Sequence, residues 1–259
     1  MIDSLYIGAT GMNAQQTNID TVANNLANVN TTAFKRGRVE FEDLLYRASG
    51  SGTATSAKAS SSSMGMGTTV AGTARIFNPG DMKKTDQPYD LAINGQGFFE
   101  VVQPDGSLAY TRNGAFQVDV DGFLTTHNGL RLSSQVQVAP DARQVRVGAD
   151  GRVFAQFATD AQETEIGKVE LAGFANPAGL SALGDNLYLA TEKSGTAALG
   201  NPSENGLGSL QQGFLESSNV KLIDEMIGLI LAQRAYEINA KVVQASDEML
   251  SISNNLYRP

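Results

Sequence analysis

Apolar positions recur at helical spacing at both ends of the chain and alternate in short runs between them. From Ser4 to Val29, Leu5, Met12, Ile19 and Leu26 stand at heptad intervals, with Ala9, Val22, Ala23 and Val29 on the neighbouring stripe. From Val220 to Tyr257 the repeat is stronger. Leu222, Leu229, Tyr236, Val243 and Leu250 form one series, Leu231, Ile238, Ala245 and Ile252 a second, and Val242, Met249 and Leu256 a third. Neither stretch contains an internal proline. The rise per residue makes the first helix roughly 35–40 Å long and the second about 50 Å. Heptad spacing over that length predicts coiled-coil packing. Two helices flanking one globular core fit the same periodicity.

The polar face of the first helix separates these readings. Before Lys35 its only charged side chains are Asp3 and Asp20, and the rest of the face is amide and hydroxyl, including Asn13, Gln15, Gln16, Asn18, Asn24, Asn25 and Asn28. A solvated helix normally carries Glu, Lys and Arg in i,i+4 pairs. Amides can be satisfied against other protein surfaces without desolvating ions. Both ends therefore read as interfaces that order on assembly.

Residues 49–73 are Ser-, Gly- and Thr-rich with Lys58 as the only charge, and composition predicts a flexible connector. Beyond it, short apolar runs alternate with turn signals at Pro104-Asp105-Gly106, Asn113-Gly114, Asp121-Gly122, Asn128-Gly129 and Asp150-Gly151. Ala115–Val120, Gln144–Val147, Arg152–Phe157 and Lys168–Phe174 are the predicted strands between them. The expected class is α+β: long N- and C-terminal helices pairing as a coiled coil, with an inserted, mainly antiparallel β-domain. Its parts are an N-terminal helix (1–33), an extended connector (34–73), the β-domain (74–200), a return connector (201–219) and a C-terminal helix (220–259).

Composition narrows the chemistry. The 259 residues include no cysteine, no tryptophan and one histidine, with a formal net charge of -8. Disulfides, thiolate metal sites, cysteine nucleophiles and His-pair metal motifs are excluded. An acidic chain lacks the clustered cations that nucleic acid demands. The opening Met1–Tyr6 has no basic segment and no apolar run long enough to span a bilayer follows, so neither a cleaved signal nor membrane insertion is expected.

Gly65-Met66-Gly67 and Gly95-Gln96-Gly97 lack the third glycine of a dinucleotide loop and read as turns. Asp119, Asp121 and Gly122 read as a hairpin turn in preference to a calcium loop. His127 reads as a turn residue, and Glu163 and Glu165 as solvated loop carboxylates. Lys35, Arg36 and Arg38, followed by Glu40, Glu42 and Asp43, suggest ion pairing with a neighbouring protein. No catalytic, cofactor-binding or metal-binding residues are expected. A secreted carbohydrate-binding β-module could share the middle of the chain, but it would need an aromatic cluster on one face.

Ala23–Arg36, with Asn24, Asn25, Leu26, Ala27, Asn28, Phe34 and Lys35, resembles the N-terminal signature of bacterial flagellar rod and hook subunits. Gly11–Gln16 is similar to its lead-in. Gly213–Val220 and Gln233–Lys241, with Gln233, Arg234, Ala235 and Tyr236, resemble the matching C-terminal signature. Asp90–Phe99 and Tyr110–Phe116 look like core motifs of the same family. The family commonly has glycine where this chain has Ala33, and residues 49–73 match it weakly.

The resemblance implies a tubular axial assembly that crosses the periplasm and transmits motor torque. The terminal helices would pair along the tube with the β-domain facing outward. Leu5, Met12, Ile19, Leu26, Val29, Leu222, Leu229, Tyr236, Val243 and Leu250 would form the assembly interface. Implied partners are further copies of the chain, proximal rod subunits, the hook, the P and L rings and the flagellar type III export apparatus. No cofactor is implied.

Overall fold

The structure, a computed structural model, describes residues 2–44, 46–49, 62–157 and 162–256. The chain divides into two compact units, one of Met1–Ala27, Gly37–Arg75 and Lys221–Pro259, the other of Asn28–Arg36 and Ile76–Val220.

The first unit holds two helices, α1 (Ile2–Ala27) and α2 (Leu222–Leu256). Its strands are β1 (Gly37–Asp43), β2 (Tyr46–Ser49), β3 (Ser62–Gly65) and β4 (Thr68–Arg75). Asp224 and Glu225 lie in the first turn of α2, where carboxylates complement the helix dipole. The two helices pack on each other through small residues of α1. A Cβ at Gly8 would lie 2.7 Å from Val243 Cγ2, and one at Gly11 would lie 2.8 Å from Asn239 Nδ2. Glycine inside a helix costs about 1 kcal/mol relative to alanine. Close approach of α2 explains why this helix carries two of them.

The helix α1 ends at Ala27, so Val29 lies beyond it in the following turn. The expected connector over 49–73 is largely strand where it is described. β1 pairs antiparallel with β4 and β2 with β3. The Thr and Val content of β4 suits strand backbone, and pairing with β1 outweighs a composition that reads as a linker. Residues 50–61 of that stretch and Tyr257 lie outside the described residues.

The second unit begins with β5 (Met82–Lys84), β6 (Leu91–Asn94), β7 (Phe98–Val102) and β8 (Leu108–Thr111). Next come β9 (Phe116–Val118), β10 (Leu124–Thr126), β11 (Arg131–Leu132), β12 (Ala142–Val147) and β13 (Arg152–Phe157). Then follow β14 (Glu163–Lys168), β15 (Leu171–Gly173), β16 (Ser181–Gly184) and β17 (Leu187–Leu189). The unit closes with β18 (Ala198–Gly200), β19 (Ser209–Gln212) and β20 (Phe214–Glu216). All the described pairings are antiparallel. The main sheet runs β16-β17-β8-β7-β11-β10-β9, with β15 joining β7 to β18. A second sheet is β12-β13-β14, while β19 pairs with β6 and β20 with β5.

The largest core gathers Ile93, Phe99, Val101, Leu132, Val153 and Leu171, each fully or almost fully buried. A smaller one stacks Phe98, Tyr110 and Tyr188 with Phe77 and Phe174, ring centroids 4.8–6.2 Å apart in edge-to-face pairs. These rings fill an interior and do not form an exposed platform. Hairpins close at Pro104-Asp105-Gly106, Asp121-Gly122, Asn128-Gly129 and Asp150-Gly151. Asn113-Gly114 does not close one, because β9 pairs with β10 and not with β8. Lys168–Phe174 is not one strand. It breaks at Val169 and Glu170 between β14 and β15, which join different sheets. Glu163 and Glu165 belong to β14, not to a loop, and Glu163 receives three hydrogen bonds from Arg146 across the sheet. That ion pair sits at the surface, and the guanidinium holds the Glu163 carboxyl below its ordinary range.

Candidate assembly surface and buried anchors

In the second unit three buried charges meet. Glu216, at the end of β20, accepts from Lys35 Nζ at 2.5 Å and from Arg112 Nε at 2.9 Å, and all three side chains are at least 97% buried. The cluster is closed by backbone. The Gly80 N–H donates to Glu216 Oε1, and Lys35 Nζ also donates to the Asn78 carbonyl at 2.9 Å. Arg112 also donates to the carbonyls of Gly95, Gly97 and Ile93. The glycine pair that reads as a turn thus forms the cup for a guanidinium.

Burial alone pushes the Glu216 carboxyl up, but Arg112, Lys35 and the Gly80 amide together outweigh it and hold the group below its ordinary range. Burial pulls the Lys35 ammonium down, and Arg112 adds to that while Glu216 opposes it. Lys35 therefore pairs within its own chain, against the expectation of a partner on a neighbouring protein. The physical reason is distance in sequence: its counter-charge stands 181 positions downstream, beyond any local pattern.

A neighbouring amide completes the anchor. Asn219 accepts from the Arg36 N–H at 2.8 Å and donates to the carbonyls of Ile76 and Asn78. The backbone of Ala33 donates to the Glu216 carbonyl, and that of Asn219 to the Phe34 carbonyl. Ala33 is fully buried with φ +57, a left-handed conformation in a residue other than glycine. The glycine that this position has in the resembling family would carry no such strain.

In the first unit Asn25, 2% exposed, donates to Glu225 Oε2 of α2 at 3.1 Å and to the Gly37 carbonyl, and accepts from the Gly37 N–H. One amide thereby joins both helices and the start of β1.

The interface residues expected from the heptads separate into two groups. On α1 the buried positions are Gly8, Ala14, Val22 and Asn25, while Leu5, Met12, Ile19 and Leu26 are half-buried beside them. On α2 the buried positions are Glu225, Ala232 and Ser246. Leu229, Val243 and Leu250 are half-buried, whereas Leu222 and Tyr236 are exposed. The fully buried positions are therefore small or polar, Val243 meets Gly8 beside them, and many other large apolar side chains of α2 are exposed. Ile223, Leu231 and Ile252 are 71%, 64% and 61% exposed, and Met226, Ile227, Ile230, Ile238 and Met249 are exposed as well. Among the signature residues, Asn25, Phe34 and Lys35 are buried, Leu26, Asn28 and Ala235 half-buried, and Asn24, Ala27, Gln233 and Arg234 exposed.

Sequence reasoning missed Glu216 and Arg112 as a pair, Asn219, and Glu225. Arg112, Glu216 and Asn219 had no signal beyond membership of the motif stretches, and Glu225 lies outside them. His127 and the Asp119–Asp121 turn lie at the surface, where Arg131 bridges the two aspartates.

Buried charges that bond backbone carbonyls hold the second unit together, and α2 turns a row of apolar side chains to solvent. Three family models match the chain in order: "Flagella basal body rod protein" over residues 5–35, "Flagellar hook protein FlgE/F/G D1 domain" over 92–155, and "Flagellar basal body rod FlgEFG protein C-terminal" over 211–256. The chain is 44% identical over its full length to the flagellar basal-body rod protein FlgG of Borreliella burgdorferi, covering all of that protein. It is 42% identical to the FlgG of Agrobacterium fabrum, with 98% of this chain and 99% of the relative covered. It is also 36% identical to the basal-body rod protein FlgF of Caulobacter vibrioides, with 96% and 95% covered. The chain belongs to the flagellar basal-body rod protein family.

Proposed function

We propose that this chain is a structural subunit of the flagellar distal rod, assembling with copies of itself into a tubular shaft that carries torque to the hook. The observation that carries this reading is the apolar row of α2 left in solvent, Ile223, Ile227, Ile230, Leu231 and Ile238. A lone protein loses free energy by exposing such a row, and an assembly gains it by covering the row. In this reading α1 and α2 pair as a coiled coil and the β-domain faces outward. Repeated heterologous contacts between copies spread the shear that torque imposes. No helix among the described residues is long and apolar enough to cross a membrane. The partners are proximal rod subunits, the hook protein and the P and L rings, and export runs through the flagellar type III apparatus without a cleaved signal.

Electron microscopy of the purified full-length protein tests this reading. Straight tubes are expected, and monomers at every concentration would overturn it. Leu229→Asp or Leu250→Asp should abolish the tubes and leave the β-domain folded. Similarity to a FlgF protein supports a second placement, among the proximal rod subunits, which copurification with the hook would decide against.

A further inference from the structure

We propose that Glu216 closes a charge lock that keeps the second unit open until the chain segment around β19 and β20 has docked. The first two charges of the cluster come from positions 35 and 112. Their shared anion arrives only with position 216, which lies 181 and 104 residues further on. Closing the unit without it would leave Lys35 and Arg112 facing each other's charge in a site sealed from water, where like charges repel most strongly.

The same segment supplies the backbone partners. β19 completes β6, and β20 completes β5. The Gly213 N–H donates to the Asp90 carbonyl, that of Ser217 donates to the Asp81 carbonyl, and the Gly213 carbonyl accepts from Thr85. Charge, strand edge and turn are therefore satisfied together or not at all. Contacts this distant in sequence form late, after their loop-closure entropy has been overcome.

The consequence for export rests on the proposed function. A chain threaded through a channel cannot close this unit while either Lys35 or Glu216 is still inside, whichever end leads. The lock itself does not depend on that reading.

Native-state hydrogen exchange on the full-length chain tests it. In the unaltered protein the most protected amides of β7, β8 and β19 should open together, with protection factors agreeing within about threefold. Glu216→Gln should lower all of them by about 100-fold or more, and adding Lys35→Met should restore about tenfold by removing one uncompensated cation. Three results would overturn the lock. These are β19 exchanging about 100-fold faster than β7 and β8 in the unaltered protein, Glu216→Gln leaving β7 and β8 protected, or no recovery in the double variant. If Glu216→Gln does not fold, the double variant and the unaltered protein still decide. Failure of a flagellated cell to export the chain would overturn the rod reading and leave the exchange result standing.

Discussion

The two units of this protein put polarity in opposite places. The second unit has an apolar interior pierced at one point by Lys35, Arg112 and Glu216, and its exposed large apolar side chains, such as Leu108, Val120, Leu183 and Leu199, are scattered along the sequence. The helix pair of the first unit buries Gly8, Ala14, Asn25, Glu225, Ala232 and Ser246, and shows solvent much of its large apolar side chain area. The second arrangement is complete in one copy. The first leaves much of its apolar side-chain area unburied in one copy, and that difference is what the proposed assembly would draw on.

The comparison breaks most sharply at Arg112. Arg112→Met removes the guanidinium from Glu216 and strips three carbonyls of their donor, so the second unit should lose about 3–5 kcal/mol. Urea unfolding followed by the tyrosine signal of the buried Tyr110 and Tyr188 measures this, while the helix content should change little.

Acid tests the same cluster without a mutation. Glu216 has a depressed folded pKa, so its contribution is complete above the unfolded value and disappears as pH falls through the lower folded value. Lys35 acts in the same direction, in its own pH window. Its lowered pKa means that stability rises as pH climbs from the folded value toward the ordinary lysine range. Thermal midpoints across pH should fall on the acid side, and that fall should shrink in Glu216→Gln.

A smaller effect is expected in the seam. Gly8→Leu forces a side chain against Val243 and should cost the helix pair about 1–3 kcal/mol, leaving the second unit untouched. Circular dichroism at 222 nm against urea measures it. Smaller still is Ile227→Ser with Ile230→Ser. Both positions are exposed, so the monomer should change by no more than about 0.5 kcal/mol while tube formation is lost. Sedimentation paired with unfolding separates the two outcomes. The least effect belongs to Ala33→Gly. Release of the left-handed strain, about 1 kcal/mol, is offset by loss of a buried methyl and by added freedom in the unfolded chain. The net change should stay within about 1 kcal/mol on denaturant unfolding.

Much of the fold was legible because its signals are local. The helical periods and the absence of internal proline marked the regions of both helices, and Asp-Gly and Asn-Gly pairs placed four hairpins. The Ser- and Gly-rich stretch misled, since the pairing of β4 with β1 spans tens of residues and leaves no trace in composition. The heptads marked which residues share a helix face, and of these Val243 meets Gly8 of α1, while the fully buried positions of α2 are Glu225, Ala232 and Ser246.

The sequence by itself determined the order of elements, the class of fold and the exclusion of thiol chemistry. Periodicity, turn pairs and residue inventory are properties of neighbours in the chain. Tertiary structure alone decided that Lys35, Arg112 and Glu216 share one dry site, that Asn25 joins two helices to a strand, and that the apolar face of α2 looks outward. Those outcomes depend on contacts between residues some hundred to two hundred positions apart, where burial and charge, not local preference, choose the partner.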